Sequence, residues 1–323
     1  MGEGRRERFA RPTASAVRAG DPASVRPSPP RPCSSQCDPI RGSRRGDGGR
    51  TLNAIEVRGV TRSFIVAGRR LVALEGLSLS VAAGSIVAVV GPNGSGKSTL
   101  LRLIAGLLPV DAGEVLIDGV PVDGPDPRVG LVFQEPRLLP WRTLVENVSL
   151  PLELAGWPEP RRLERGRALL SQVRLDGFER AYPAQLSGGM AQRAGIGRAL
   201  ALDPGVLLLD EPFGALDALT RERMNQELLS LWDRTRATVL LVTHSIAEAV
   251  FVADRVLVLS PRPGHVVADV PVELARPRSP SAIDAAAFSR AAEQVRAALE
   301  AADTMEAVDS AEASDADSMA DVA

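Results

Sequence analysis

The segment Gly91-Pro92-Asn93-Gly94-Ser95-Gly96-Lys97-Ser98-Thr99 packs three glycines, a lysine and three hydroxyls into nine residues. It follows the apolar run "IVAVV" and opens the helical pattern "TLLRLIAGLL". The chemistry suited to such a loop is the holding of phosphate. Its glycines let backbone N–H groups turn inward as an anion nest, and the N-terminus of the next helix adds the positive end of its dipole. Lys97 is spaced to reach the β- and γ-phosphates of a nucleotide, and the Ser98 hydroxyl to ligate Mg²⁺. Lys97 is also the one lysine of the chain; the rest of its 38 basic residues are arginines. A slim stem with a point charge suits a phosphate cradle in a way that a broad guanidinium does not.

Three other groupings carry chemistry. Asp210-Glu211 closes the run "VLLL". An aspartate there holds Mg²⁺ through water, and the adjacent carboxylate polarises an attacking water. Paired acids after a strand also serve as helix N-caps, but the phosphate loop upstream favours the chemical role. Leu186-Ser187-Gly188-Gly189-Met190 opens the pattern "GMAQRAGIGRALAL" and offers a second anion site. Taken alone, it is more often a helix cap. His244 ends "TVLLVT". A lone histidine at a strand end is commonly structural, yet beside the other strand ends it becomes a donor to a γ-phosphate. His265, the other histidine, has no comparable setting.

These groupings need a frame. The apolar runs "SIVAVVG", "GVLLLDE", "TVLLVTH" and "RVLVLS" predict parallel strands buried on both faces and flanked by helices. Open α/β sheets hold ligands at the carboxyl ends of such strands. Looser alternation in "LNAIEVRGVTRSF" and "EGLSLSVAAG" predicts an antiparallel layer with one wet face. Residues 1–50 carry eleven arginines against five acids among Pro, Gly and Ser, and read as a disordered arm. Residues 271–301 read as a helical extension, and residues 302–323, with seven acids and no base, as a disordered acidic tail.

The folded middle is nearly neutral and aromatics are 3%, so no nucleic-acid partner is expected. Cys33 and Cys37 lie in the irregular arm without further metal ligands, which fits a reducing compartment. No apolar run approaches the roughly 18–20 residues of a membrane span, and the arginine-rich start lacks the apolar core of a secretory signal.

Together these residues resemble the ATP-binding subunits of ABC transporters over about residues 52–270. In that resemblance "GPNGSGKST" is the Walker A loop, "VLLLDE" Walker B and "LSGGM" the signature, with Met190 where glutamine is commoner. "VFQEP" supplies the Q-loop Gln134, "GALD" the D-loop Asp217 and "VTHS" the switch histidine His244. The resemblance implies a P-loop NTPase core of mostly parallel sheet over residues 51–270. It adds an antiparallel β subdomain and a helical subdomain over about residues 135–190. ATP and Mg²⁺ are the implied cofactors. Glu211, His244 and Gln134 are the implied catalytic residues, and Ser98, Gln134 and Asp210 the implied metal contacts. A head-to-tail homodimer is implied, in which Ser187, Gly188 and Gly189 meet the partner's γ-phosphate. Phe64 stands where the family more often stacks a tyrosine on adenine.

"FQEPRLLPWRTLVENVSLPLEL", "DEPFGALDALTRERMNQELLSLW" and "VTHSIAEAVFVADRVLVLSPRPG" are similar to importer ATPases of the nitrate/sulfonate/taurine/bicarbonate type. That similarity implies a peripheral ATPase at the cytoplasmic face of the membrane. Its partners would be a separate permease and, indirectly, a periplasmic or extracellular solute-binding protein. An exporter ATPase, a soluble ABC ATPase acting on DNA or the ribosome, and a regulatory nucleotide-binding module are the alternatives. The single cassette, with no heptad run between Lys97 and Asp210, counts against the soluble one.

Overall fold

A computed structural model describes residues 53–214, 216–279 and 284–320, with side chains to Asp303 and Thr304 in the last stretch. The arm over residues 1–50, with Cys33 and Cys37, lies outside the described residues. Strands β1 (Asn53–Val66) and β2 (Arg69–Ala82) form a long antiparallel hairpin. Strand β3 (Ile86–Val90) then enters a second sheet and delivers the glycine-rich loop to helix α1 (Lys97–Ile104). β4 (Ala112–Ile117) and β5 (Val120–Pro121) complete the antiparallel sheet in the order β2-β1-β4-β5.

β6 (Val129–Val132) returns to the central sheet and is followed by a helical layer. That layer holds α2 (Leu144–Val148), α3 (Leu150–Leu154), α4 (Glu159–Gln172) and α5 (Gly188–Ala199). Next come β7 (Val206–Asp210), α6 (Ala218–Thr235), β8 (Thr238–Val242) and α7 (Ile246–Val252). β9 (Arg255–Leu259), β10 (Val266–Pro271) and α8 (Ala285–Ala320) end the described chain.

The central sheet runs β10-β9-β3-β8-β7-β6, parallel throughout except for β10, which pairs antiparallel with β9. The continuous apolar runs are thereby explained, because alternate residues of each strand feed different cores. Ile86, Ala88, Leu207, Leu209, Val239 and Leu241 face the helical side. Val87, Val89, Val206, Leu208, Leu240 and Val242 face α1 and the antiparallel sheet. A one-residue slip in any of these strands would exchange the two sets, so the register is strongly specified.

In the helical layer, Thr143 N donates to Glu146 at 2.7 Å as part of a capping box at α2. Buried Asn147 pins the preceding irregular stretch. Its Oδ1 accepts from Leu139 N at 2.7 Å, and its Nδ2 donates to the carbonyls of Leu139, Arg142 and Thr143. The turn Arg137–Arg142 is thus held rigid while Trp141, 71% exposed, stands out from it.

Beyond Val270, Val272 and Leu274 are buried in the helical-side core. Arg278, almost wholly buried, donates to the carbonyls of Val250, Phe251, Ala253 and Leu274 and so caps the end of α7. Burial pulls its guanidinium down to about 10, with Arg276 nearby adding to the effect. Helix α8 is capped by Asp284, whose Oδ1 accepts from Ala286 N and Ala287 N. It packs Ala291, Val295 and Ala302 inward and continues through Ala320. The backbone of α8 runs on as helix through the acidic stretch to Ala320.

Candidate nucleotide site at the strand ends

Because β6, β7, β8 and β3 run parallel, their carboxyl ends lie on one edge of the sheet. That edge receives Gln134 after β6, Asp210 and Glu211 at β7, Thr243 and His244 after β8, and the loop 91–96 after β3. Residues far apart in sequence become neighbours for this topological reason alone.

Gly96 caps α1 in the left-handed region, at φ +90°. A Cβ there would lie 2.5 Å from Leu74 Cδ2 and 2.8 Å from the Ala73 carbonyl, so β2 presses on the loop where only glycine fits. Lys97, 6% exposed, starts α1 and folds its Nζ back into the loop. It donates to the carbonyls of Gly91 (2.9 Å) and Pro92 (2.8 Å) and lies 3.4 Å from Ser95 Oγ. Burial pulls its ammonium below the usual lysine range, against the opposing pull of Glu211 and Asp210.

Ser98 Oγ donates to Asp210 Oδ1 at 2.9 Å, joining the loop helix to the end of β7. Burial pushes the Asp210 carboxyl up, and the Ser98 bond and Arg102 moderate the rise. Glu211 follows at φ +43°, a conformation that costs a non-glycine residue energy and clusters at functional sites. Its N–H continues the ladder to Val242 O at 2.9 Å before the chain turns. Its Oε2 then meets Gln134 Nε2 at 3.3 Å and His244 Nδ1 at 3.2 Å. All three expected catalytic side chains therefore share one carboxylate oxygen.

The expected site residues do not all gather here. Ser187 caps α5, its Oγ accepting from Met190 N at 3.3 Å, and Asp217 caps α6, its Oδ1 accepting from Thr220 N at 3.0 Å. The capping alternative weighed for Ser187 is thus true within one protomer, and Asp217 proves to be a cap as well. A Cβ on Gly189 would lie 3.4 Å from Thr220, and one on Gly188 4.0 Å from Leu216, so the two caps are neighbours. Among the described residues, no hydrogen bond or ion pair joins Ser187, Gly188 or Gly189 to the loop 91–99. Phe64 lies on the β1–β2 hairpin with the Arg62 guanidinium 5.1 Å from its ring centre.

Sequence reading missed a buried support behind His244. Thr243 Oγ1 donates to Glu248 and accepts from Ser245 N, while Ser245 Oγ accepts from Glu248 N. Burial pushes the Glu248 carboxyl above its usual range, with the Thr243 bond opposing. An acid inside the apolar pattern "IAEAVFV" is the signal that could have pointed to it. Arg221 was missed as well. Its guanidinium holds the carbonyls of Phe213 and Leu216, fixing the turn that leads from Glu211 to Asp217.

Residues 74–214 match the family model described as ABC transporter. An uncharacterised ABC transporter ATP-binding protein of Methanocaldococcus jannaschii is 47% identical over 230 residues, covering 71% of this chain and 86% of that protein. A taurine import ATP-binding protein of Yersinia pestis is 53% identical over 195 residues, 60% of this chain and 76% of its own length. Among solved structures, a dimeric ATP-binding cassette in a post-hydrolysis state with ADP and phosphate superposes with a TM-score of 0.61 at 34% identity. The match covers 68% of this chain and 99% of that one.

Proposed function

The chain belongs to the ATP-binding subunits of ABC transporters, and we propose that it hydrolyses ATP to drive a separate permease that imports a small anion such as taurine, another sulfonate or nitrate. The observation that carries the hydrolytic part is the meeting of Gln134 and His244 on the Glu211 carboxylate. Glu211 is the group that polarises the attacking water, Gln134 positions that water, and His244 donates to the γ-phosphate as charge develops. Asn93, Gly94, Ser95, Gly96, Lys97 and Thr99 surround the phosphates, with Gly91 and Pro92 forming the base of the loop.

Mg²⁺ fits the donors present. Ser98 Oγ and the Asp210 carboxylate are hard oxygen donors 2.9 Å apart at a buried strand end, with Gln134 across the cluster. Among the described residues there is no set of three or more His, Cys, Asp or Glu that could hold a metal. An ion held by Ser98 and Asp210 would take its remaining ligands from nucleotide oxygens and water. When bound, the ion supplies neutralisation of the phosphate charge.

The anion reading rests on the relatives named for taurine import. No described helix is long and apolar enough to cross a membrane; on the likeness to import ATP-binding proteins, the subunit would dock peripherally at the cytoplasmic face. Exposed Trp141, Leu154 and Trp157 on the helical layer suit that contact with a permease. Two protomers would close head to tail over two ATP molecules, and a periplasmic or extracellular binding protein would deliver the solute. Glu211→Gln is the test. ATP hydrolysis, measured with the permease present, should fall about 10²–10³-fold while ATP binding persists. Near-wild-type turnover would remove Glu211 from the reaction.

A further inference from the structure

The turn between β9 and β10, residues 260–265, ends the importer-like segment 242–264 and has no role in the site described above, yet it grips the phosphate loop. Buried Ser260 organises the turn. Its N–H donates to His265 O at 2.9 Å, and its Oγ lies 2.9 Å from His265 Nδ1 and accepts from His265 N at 3.0 Å. Gly264 ties the turn to β2, donating to Ala73 O at 3.0 Å and accepting from Glu75 N at 3.3 Å. From this base the turn touches the loop at two adjacent peptides. A Cβ on Gly264 would sit 2.0 Å from the Ser95 carbonyl oxygen, so the two backbones are in direct contact. The exposed Arg262 donates from both Nε and Nη2 to the Gly94 carbonyl, each at 3.2 Å.

The Gly94 carbonyl is a meaningful place to hold. In a trans peptide the C=O and the next N–H point in opposite directions. With Gly94 O drawn outward to Arg262, the Ser95 N–H is turned back into the loop, where it lies 3.3 Å from Pro92 O. Gly94 itself, at φ +85° with no Cβ, offers little resistance to a peptide flip. A Cβ there would also lie 2.8 Å from Arg262 Nη2, so the guanidinium is packed against the glycine as well as bonded to it.

We propose that Arg262 is a positioning residue for nucleotide binding. Its fork on Gly94 O, with Gly264 seated on Ser95, fixes the loop backbone and keeps the Ser95 N–H, which donates to the Pro92 carbonyl, on the inner side of the loop, where an entering phosphate would take it over. The guanidinium acts on the loop rather than on the nucleotide. The proposal rests on reading residues 91–99 as the phosphate cradle.

The experiment uses the purified full chain, a fluorescent N-methylanthraniloyl ATP analogue and steady-state ATP hydrolysis. Arg262→Ala should raise the KM for ATP and the Kd of the analogue about tenfold, with kcat changed by less than about twofold. Arg262→Gln keeps an N–H donor without the charge and should recover part of that affinity. Gly264→Ala, which drives the turn off Ser95, should weaken the analogue in the same direction. Unchanged affinity in Arg262→Ala overturns the proposal, and so does a fall in kcat at constant KM. Recovery by Arg262→Lys but not by Arg262→Gln also overturns it, because the side chain would then act as a charge on the nucleotide. Lys97→Ala run in parallel separates the two readings. Normal binding in that variant sinks the cradle itself, whereas lost binding there beside a normal Arg262→Ala sinks only the positioning role.

Discussion

At the scale of single residues, the site turns on shape as much as on charge. Lys97 Nζ sits within 2.9 Å of two carbonyls in a loop that leaves the residue 6% exposed. One tetrahedral ammonium satisfies those oxygens and, on moving, a phosphate. A guanidinium is wider, planar and cannot pass beneath the same peptides. The prediction is that Lys97→Arg, although it conserves charge, lowers ATP hydrolysis at least about 100-fold. An assay at saturating ATP with the permease present reads the effect, and retained activity would mean that charge alone is needed. The preference for arginine elsewhere in the chain makes the retention of this lysine informative.

At the scale of elements, α7 connects the switch histidine to the body of the domain. Its first turn is built on Glu248, held by Thr243 and lying near Arg221 and His244, and its last turn is capped by Arg278. Because burial raises the Glu248 carboxyl above 4.5, the native state keeps a proton that the unfolded chain has lost. The stability this group contributes is complete below pH 4.5 and declines as pH rises through the displaced value. Glu248→Gln has no such proton to lose. The Tm of that variant minus that of the wild type should therefore grow more positive as pH rises from 4.5, by on the order of 3 °C. A difference that stays constant across that range would exclude a buried, titrating Glu248. In sequence this support shows only as an acid inside the apolar pattern "IAEAVFV", because its partners depend on how α7 packs, whereas β3, β7, β8 and β9 were legible from their unbroken apolar runs. The strand order was not legible: the pairing of β3 between β8 and β9 joins segments about 150 residues apart, which local patterning does not encode. The strand-end pattern pointed to Glu211 and His244, the family resemblance implied Gln134, and parallel topology brought the three together. Arg262 had no signal at all, since its partner is a backbone carbonyl 168 residues away.

At the scale of the whole molecule, the proposed function assigns one protomer two half-sites, with no hydrogen bond or ion pair between them among the described residues. The loop 91–99 with the strand-end cluster forms the first, and the N-terminus of α5 beside the cap of α6 forms the second. A helix N-terminus such as that bearing Ser187, Gly188 and Gly189 favours an anion, and among the described residues Met190 N is the group bound to the Ser187 hydroxyl. A head-to-tail pair would bring each second half-site over its partner's first, as the proposed function requires. The consequence separates two kinds of defect. Glu211→Gln should elute as a dimer with ATP and as a monomer without it. Adding Ser187→Arg to the same chain places a long side chain where the partner's phosphate must approach. That double variant should no longer dimerise with ATP, yet it should bind the fluorescent ATP analogue within about twofold of Glu211→Gln, because the steric block acts only between protomers. Size-exclusion chromatography and an analogue titration on the same preparation distinguish the outcomes. If the double variant lost the nucleotide altogether, the signature segment would be acting on its own protomer's site and the head-to-tail arrangement would fail.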